Sequence, residues 1–170
     1  ILKKVEIILV EHMDEVLTQA LILEGGSIEV DSRGTLLTTA ECLLSPERNP
    51  QYSRDQLETL LMGRLGLERI LWLEHGQLMG DDTDGHIDTL ARFCDDRTIA
   101  YVSCEDEQDP HYTSLKAMEE ELRQFVDADG KPYKLVPLPL PAAQYDDEEG
   151  QRLPATYANF LIINGAVLLP

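Results

Sequence analysis

The sequence lacks any uninterrupted apolar run of roughly 18 residues, the length that a membrane-spanning helix requires. Its first residues also lack the order of charged, apolar and small residues that is typical of a secretory leader. These two absences argue against a membrane span and against export. We therefore expect a soluble, cytoplasmic protein.

Positive charge is also scarce. The 170 residues contain 14 Lys and Arg against 32 Asp and Glu, which gives a formal net charge of −18. Such a chain repels nucleic acid and anionic membrane surfaces, so neither is expected as a partner, whereas a small cation is attracted. The alternative is that the acidic surface serves solubility alone.

Cysteine is rare, and the motifs of metal and phosphate sites are missing. Cys42, Cys94 and Cys104 form an odd count without a C-x-x-C pair, which disfavours both a disulfide framework and a structural zinc site. The sequence also contains neither G-x-x-x-x-G-K-[ST] nor G-x-G-x-x-G. We expect reduced thiols, no metal and no organic cofactor.

What the sequence does contain is an internal repeat of about sixty residues. Segments 24–61 and 83–122 align so that Gly26 and Ile28 fall on Gly85 and Ile87. In each copy two apolar stretches flank a polar turn, at 31–34 or 95–97, which predicts a β-hairpin.

An amphipathic helix is predicted after each hairpin, with Ser53 and Thr113 as the N-caps. Short apolar strands follow, in "ERILWLE" and "YKLVPLPL", and another strand, "VEIILV" at 5–10, precedes the first copy. The third hairpin, "TYANFLIINGAVLLP", contains Asn164-Gly165, the dipeptide best suited to a type I′ turn.

The chain is therefore expected to form part of one α/β domain, in modules of approximately 1–65, 66–130 and 131–170. Such modules can close around an axis as a propeller, which would bring Glu24, residues 84–88 and Asn159 together at the centre. The alternative is an α/β sandwich in which the internal similarity is accidental. The start at Ile1 and the apolar end at Pro170 also suggest part of a longer protein.

The run "GDDTDGHID" at 80–88 concentrates aspartates around one histidine. An EF-hand loop is excluded, because Gly80 and Ala91 would occupy its first and twelfth positions, where carboxylates are required. If the run begins a strand, His86 and Asp88 share one face and Ile87 points into the core. Such a pair suits acid/base chemistry, although a solvated, merely hydrogen-bonded pair is the structural alternative.

These segments resemble a known family. "LEGGSIEVDSRGTLLTTAECLL", "GDDTDGHIDTLARF" and "YANFLIINGAVLLP" are similar to the agmatine deiminase family of guanidine-modifying penteins, which also includes peptidyl-arginine deiminase-like proteins. The resemblance implies a pentein-type α/β propeller built from ββαβ-like repeats, here only part of the propeller. It also implies hydrolysis of agmatine to N-carbamoylputrescine and ammonia, a step toward putrescine, without a cofactor.

The resemblance assigns roles to three residues. Glu24 matches the glutamate that binds the substrate and supports the histidine, His86 matches the general acid/base, and Asp88 matches a carboxylate that binds the guanidinium group. Carboxylates suit that task because the guanidinium fork pairs bidentately with them. Thr83 and Asp84 are expected in turn or capping roles. In the structural alternative, Glu24 and His86 are only a buried pair that holds the modules together.

One element of the family is missing. Its nucleophilic cysteine follows a glycine-rich segment, G-G-G-N-x-H-C, which these 170 residues do not contain, and the N-terminal segment with another substrate aspartate is also absent. None of the three cysteines is expected to replace the nucleophile. Two interpretations remain: part of a deiminase that is inactive as this fragment alone, or a non-catalytic pentein relative. The substrate could also be arginine or peptidyl-arginine.

Overall fold

The computed structural model describes residues 20–148 and 150–170, so the strand predicted at 5–10 lies outside the described residues. The described chain forms eight strands and three α-helices: β1 (Ile28–Val30), β2 (Thr35–Thr39), α1 (Ala40–Leu43), α2 (Arg54–Leu65), β3 (Arg69–Leu73), β4 (Ala91–Asp95), β5 (Thr98–Ser103), α3 (Tyr112–Gln124), β6 (Lys134–Pro139), β7 (Leu161–Ile163) and β8 (Ala166–Leu168). Within this part of the chain, no helix has both the length and the apolar character needed to cross a bilayer.

The first two sheets repeat one ββαβ topology. In the first sheet β1 pairs antiparallel with β2, and β2 pairs parallel with β3. In the second sheet β4 pairs antiparallel with β5, and β5 pairs parallel with β6. A helix lies between the second and third strand of each copy, because a parallel connection needs a crossover. The predicted hairpins, helices and following strands are therefore confirmed.

Aspartate side chains build both predicted hairpin turns. Asp31 Oδ1 accepts hydrogen bonds from the backbone N–H of Arg33 (2.8 Å) and Thr35 (2.7 Å). Asp95 Oδ1 accepts one from Arg97 N–H (2.8 Å). Such Asx turns satisfy backbone donors that the reversal leaves unpaired.

The third hairpin pairs β7 with β8 around Asn164-Gly165, as predicted. The turn type is different, because only Gly165 has a left-handed φ, +81°. A type I′ turn requires positive φ at both central residues, so the expected type I′ geometry is wrong. Both strands of this hairpin are exposed.

One large apolar core joins the two ββαβ copies. Leu37 of β2 and Leu73 of β3 pack in the same cluster as the buried face of α3, which is formed by Leu115, Met118 and Leu122. The amphipathic helix predicted after the second hairpin therefore buries its apolar face in this core. A smaller cluster, under α1 and α2, contains Leu36, Leu43, Leu61 and Leu67.

The two helices begin differently. Ser53 caps α2 as predicted, and Gln56 completes a capping box. Thr113 is not the N-cap of α3, which begins at Tyr112, after His111. The reason is a preceding turn in which Tyr112 N–H donates to Asp109 O (2.9 Å), so the chain is already helical when it reaches Thr113.

Candidate active site

Two short 3₁₀ turns place the candidate residues. The first, Gly25–Ser27, follows Glu24, and the second, Ile87–Thr89, follows His86. His86 and Asp88 therefore do not lie on a strand, and the prediction of a strand was wrong. The hydroxyl groups of Ser27 and Thr89 close their turns by donating to Glu24 O (2.7 Å) and His86 O (2.9 Å).

These matching hydrogen bonds make Glu24 and His86 equivalent positions of the two modules, 62 residues apart. The predicted alignment, which placed Gly26 on Gly85, is therefore wrong, because the structure aligns Glu24 with His86. The 3₁₀ turn has a period near three, so the alternation expected of a strand does not apply. Ile87 is nevertheless buried, as predicted.

The loop before His86 is organised by its own aspartate. Asp81 Oδ1 accepts from Thr83 N–H (2.9 Å), and Asp81 Oδ2 accepts from Gly85 N–H (2.7 Å). Asp84 and Gly85 have left-handed φ angles of +56° and +77°. The Gly85 carbonyl, in turn, accepts a buried hydrogen bond from Thr39 Oγ1 (2.6 Å). The loop thus holds His86 against the first module.

The two equivalent residues meet. His86 Nε2 lies 2.9 Å from Glu24 Oε2, and the His86 side chain is only 16% exposed. This contact fixes the ring, and when Nε2 is the donor it leaves Nδ1 as the nitrogen available to a ligand. The predicted convergence of Glu24 and His86 is therefore present in the structure.

Asp88 lies beside the same imidazole ring, over Gly26. A β-carbon placed on Gly26 would be 2.5 Å from His86 Nδ1 and 2.7 Å from Asp88 Oδ2. Only glycine leaves room for both side chains at this point. Burial raises the pKa of Asp88 above its ordinary value, an effect that His86 and Arg92 oppose. Among the described residues, the Asp88 carboxylate forms no salt bridge.

Arg48, in the loop between α1 and α2, is a member of the site that the sequence did not predict. Its guanidinium group contacts Glu24 Oε2 (2.7 Å from Nε), Asp84 Oδ2 (2.5 Å from Nη1) and Thr83 O (2.9 Å from Nη2). Hydrogen bonds from Arg48 and then from His86 lower the pKa of Glu24 to about 2. Glu24 is therefore ionised at neutral pH.

Cys42 completes the cluster from α1. Its thiol donates to Glu24 Oε2 over 3.7 Å, and burial raises the pKa of this thiol to about 12. Glu24, Cys42 and His86 each bring a ligand atom within 4.8 Å of the others. However, Arg48 already places a cation on Glu24 Oε2, which disfavours a metal ion on the same oxygen.

Asn159 was also predicted to converge on this site. It is exposed, and among residues 20–148 and 150–170 it makes none of the hydrogen bonds that connect Glu24, Arg48, Asp84 and His86. The expectation that Asn159 lies with Glu24 and residues 84–88 therefore stays a prediction. The exposed hairpin contacts the modules through Phe160, whose carbonyl accepts from Arg92 (2.8 Å).

Comparison with known proteins connects this geometry to a family. The sequence profile of the Porphyromonas-type peptidyl-arginine deiminase family matches residues 3–170. The chain belongs to this family. Among curated relatives of the deiminase family, the agmatine deiminase of Pseudomonas fluorescens is 37% identical over 177 residues, covering 95% of this chain and 48% of the relative.

Solved deiminases have the same fold. An agmatine deiminase of C. jejuni with its substrate bound superimposes with a TM-score of 0.81 at 48% identity, over 89% of this chain and 43% of that chain. The agmatine deiminase of Enterococcus faecalis gives a TM-score of 0.80 at 36% identity, over 88% and 45%. The expected pentein-type α/β architecture, present here as part of a propeller, is thus confirmed. The chain spans about half the length of its deiminase relatives.

Proposed function

We propose that the protein containing this chain hydrolyses agmatine to N-carbamoylputrescine and ammonia, and that His86 and Asp88 act directly on the substrate. The observation that supports this most is the convergence of Glu24, His86 and Asp88 from two separate modules. Asp88 forms no salt bridge within residues 20–148 and 150–170 and lies beside a fixed imidazole, which suits a guanidinium ligand, because the carboxylate can accept two of its N–H donors.

Asp88 is the carboxylate proposed to bind the substrate cation. Burial raises its pKa, and in the described part of the chain no cationic side chain forms a salt bridge with it. A bound guanidinium ion would supply that partner and lower the pKa of Asp88 again. Glu24 also retains its predicted role toward the substrate, but both of its oxygens already accept hydrogen bonds from Arg48 (2.7 and 3.4 Å).

His86 is proposed to move the protons of two successive steps. In the first, a cysteine thiolate adds to the guanidinium carbon, and ammonia leaves after it has accepted a proton from the imidazolium. In the second, neutral His86 removes a proton from water as the water adds to the thiouronium carbon, and N-carbamoylputrescine is released as the C–S bond breaks. An imidazole suits both directions because it titrates near neutrality.

The nucleophile is proposed to lie outside these 170 residues. Cys42 is near His86 but buried, and a thiol with a pKa of about 12 is not a thiolate at neutral pH. Cys104 is buried as well. Cys94 is exposed and lies on β4, in the strand that follows the second 3₁₀ turn. The chain alone is therefore expected to bind a guanidine without hydrolysing it.

The test is ammonia release by the complete protein from agmatine, arginine and a blocked arginyl peptide. We expect agmatine to have the highest kcat/KM, because an acidic protein favours a dication over a zwitterion. A higher kcat/KM for the peptide would instead identify peptidyl-arginine as the substrate class, which is the substrate in the name of the matching family. No ammonia from any of the three would contradict the proposal and favour a non-catalytic binding protein.

His86→Ala is the matching variant, and we expect it to lower kcat by roughly a thousandfold, within the range assigned to general acid/base catalysis. His75→Ala is the control, because His75 forms a similar pair with Glu121 (2.7 Å) but is half exposed. We expect the control to keep its activity. Near-normal activity in His86→Ala would contradict the role of His86.

A further inference from the structure

We infer that Arg48 is a positioning residue of this site, which holds the Glu24 carboxylate oriented toward His86 while its guanidinium group never reacts. The inference rests on the proposed function and extends it to a residue that was not predicted from the sequence. It is carried by three contacts from one planar side chain, to Glu24, Asp84 and Thr83, described above.

The backbone around Arg48 is fixed independently of these contacts. Arg48 N–H donates to Ser45 O (3.1 Å). The neighbouring Asn49, which is 2% exposed, accepts from Ile22 N–H (3.0 Å) and donates to Ile22 O (3.0 Å). The loop is therefore attached to the segment that leads into Glu24, and the Arg48 side chain, 11% exposed, has little freedom to turn away.

The geometry separates Arg48 from a substrate. Its guanidinium group contacts Glu24 in the first module. It also contacts Thr83 and Asp84, in the loop ahead of His86, in the second module. Such a planar fork bridges two carboxylates and a carbonyl in a way that a single ammonium group does not. The Asp88 carboxylate lies with His86 Nδ1 over Gly26, whereas Glu24 contacts Nε2, and the contacts of Arg48 within the described residues do not include Asp88. Arg48 thus acts on His86 through Glu24.

Electrostatics supports this role. Glu24 faces two groups that lower its pKa, Arg48 and His86, and Arg48 has the larger effect. Asp84 and the Cys42 thiol also lie near this cluster. Without Arg48, Glu24 would protonate closer to its ordinary pKa of 4.5. At neutral pH Glu24 is ionised with or without Arg48, so Arg48 contributes the orientation of the carboxylate that stabilises a positively charged imidazole during proton transfer.

The experiment compares Arg48→Gln and Arg48→Lys in the complete protein with agmatine as substrate. We expect Arg48→Gln to lower kcat by roughly a hundredfold, as expected for a misplaced catalytic group, with little change in KM. Arg48→Lys should recover part of kcat, because it keeps the charge but loses the fork. The matched control is Arg54→Gln, which removes an exposed Arg–Glu pair (Arg54–Glu74, 2.5 Å) that includes neither Glu24 nor His86.

A second readout does not depend on turnover. Titration of the Glu24 side-chain carbon by NMR should give a midpoint near the value of about 2 in the wild-type protein and a clearly higher one in Arg48→Gln. Thermal unfolding of each variant shows whether the fold is intact. A merely structural Arg48 would lower stability and kcat together, and Arg48→Lys would restore both equally.

The outcomes separate the two proposals. Wild-type kcat in Arg48→Gln, or a kcat that falls only in proportion to the folded fraction, overturns the role of Arg48 while the proposed function stands. An unchanged Glu24 midpoint in Arg48→Gln also overturns it. Ammonia release by neither the wild type nor any variant contradicts the proposed function instead.

Discussion

Among single residues, Gly26 is important to the site because it has no side chain. The His86 ring and the Asp88 carboxylate both occupy the space in which a side chain at Gly26 would begin. A β-carbon placed on the preceding residue, Gly25, would have no atom within 4 Å. The two glycines of "EGG" therefore have different roles, and only the second constrains the site.

Gly26→Ala should displace His86 or Asp88 and reduce deiminase activity by roughly a hundredfold, since a displacement near 1 Å has effects of this size. Gly25→Ala is the control and should keep its activity. Ammonia release by both variants of the complete protein is the measurement. Equal activity of the two would contradict the position of the imidazole over Gly26.

Cys42 gives a prediction about reactivity. Because its thiol is buried and has a pKa of about 12, iodoacetamide should leave it unmodified in the folded protein at mildly alkaline pH. Exposed Cys94 should be alkylated first. Mass spectrometry of the modified peptides measures the rates, and urea-unfolded protein, in which all thiols react, is the control. Equal rates for Cys42 and Cys94 in the folded state would contradict this account.

Among the secondary-structure elements, those that depend on interactions within a few residues were predicted correctly from the sequence. The turns at Asp31 and Asp95, the capped helix after Ser53 and the strand "ERILWLE" are all present, because aspartate turns, capping boxes and apolar runs act within a few residues. The strand assigned to His86 and Asp88 and the cap at Thr113 were wrong. In both places a turn held by a neighbouring hydrogen bond overrides the local pattern.

A second histidine shows how elements are joined outside the site. Buried His111 accepts from Met79 N–H at Nε2 (2.8 Å), so Nδ1 is the atom that donates to Asp109 (2.8 Å). Arg152 also donates to Asp109 (2.9 Å). Burial opposes ionisation of Asp109, but the bonds from Arg152 and His111 lower its pKa to about 2. This cluster anchors the chain just ahead of the loop that carries His86.

Asp109→Asn should therefore lower the free energy of unfolding by about 2 kcal/mol at neutral pH. The carboxylate stabilises the fold above its ordinary pKa of 3.8, and this contribution disappears as the pH falls toward about 2. The difference between wild type and variant should then shrink in acid. Urea unfolding at both pH values measures it, with exposed Glu107→Gln as the charge-matched control. A pH-independent difference would contradict the assignment.

At the scale of the whole molecule, the site exists only because two modules pack together. Glu24 belongs to the first and His86 to the second, and their meeting was predicted from module closure and from the family resemblance. Arg48 was not predicted, because which charged side chain fills the space between two modules is decided by tertiary packing. The third hairpin was predicted as an element and is present, whereas the contribution of Asn159 to the site stays a prediction.

Arg92 connects the first sheet, the second sheet and the segment that leads into the third hairpin. It contacts Glu29 of β1 (2.7 Å) from β4, and its guanidinium group lies 5.3 Å from the centre of the Phe160 ring ahead of β7. Burial raises the pKa of Glu29, an effect that Arg92 opposes. Glu29 and Arg92 are 14% and 18% exposed, so neither is well solvated if the other is lost.

Arg92→Met should destabilise the protein by roughly 3 kcal/mol at neutral pH, because it leaves the Glu29 carboxylate buried without its cation. The pKa of Glu29 is raised in the folded state, so protonation at lower pH should recover part of this loss. Chemical unfolding against pH measures the effect. The double change with Glu29→Gln should cost less than Arg92→Met alone, and a larger, additive cost would contradict this account.

The most direct test of the central claim is a crystal structure of the complete protein with agmatine, made inactive by His86→Ala. The guanidinium group should pair with the Asp88 carboxylate in the space beside Gly26, while Glu24 remains bound to Arg48. Agmatine bound elsewhere, with Asp88 facing bulk water, would contradict it.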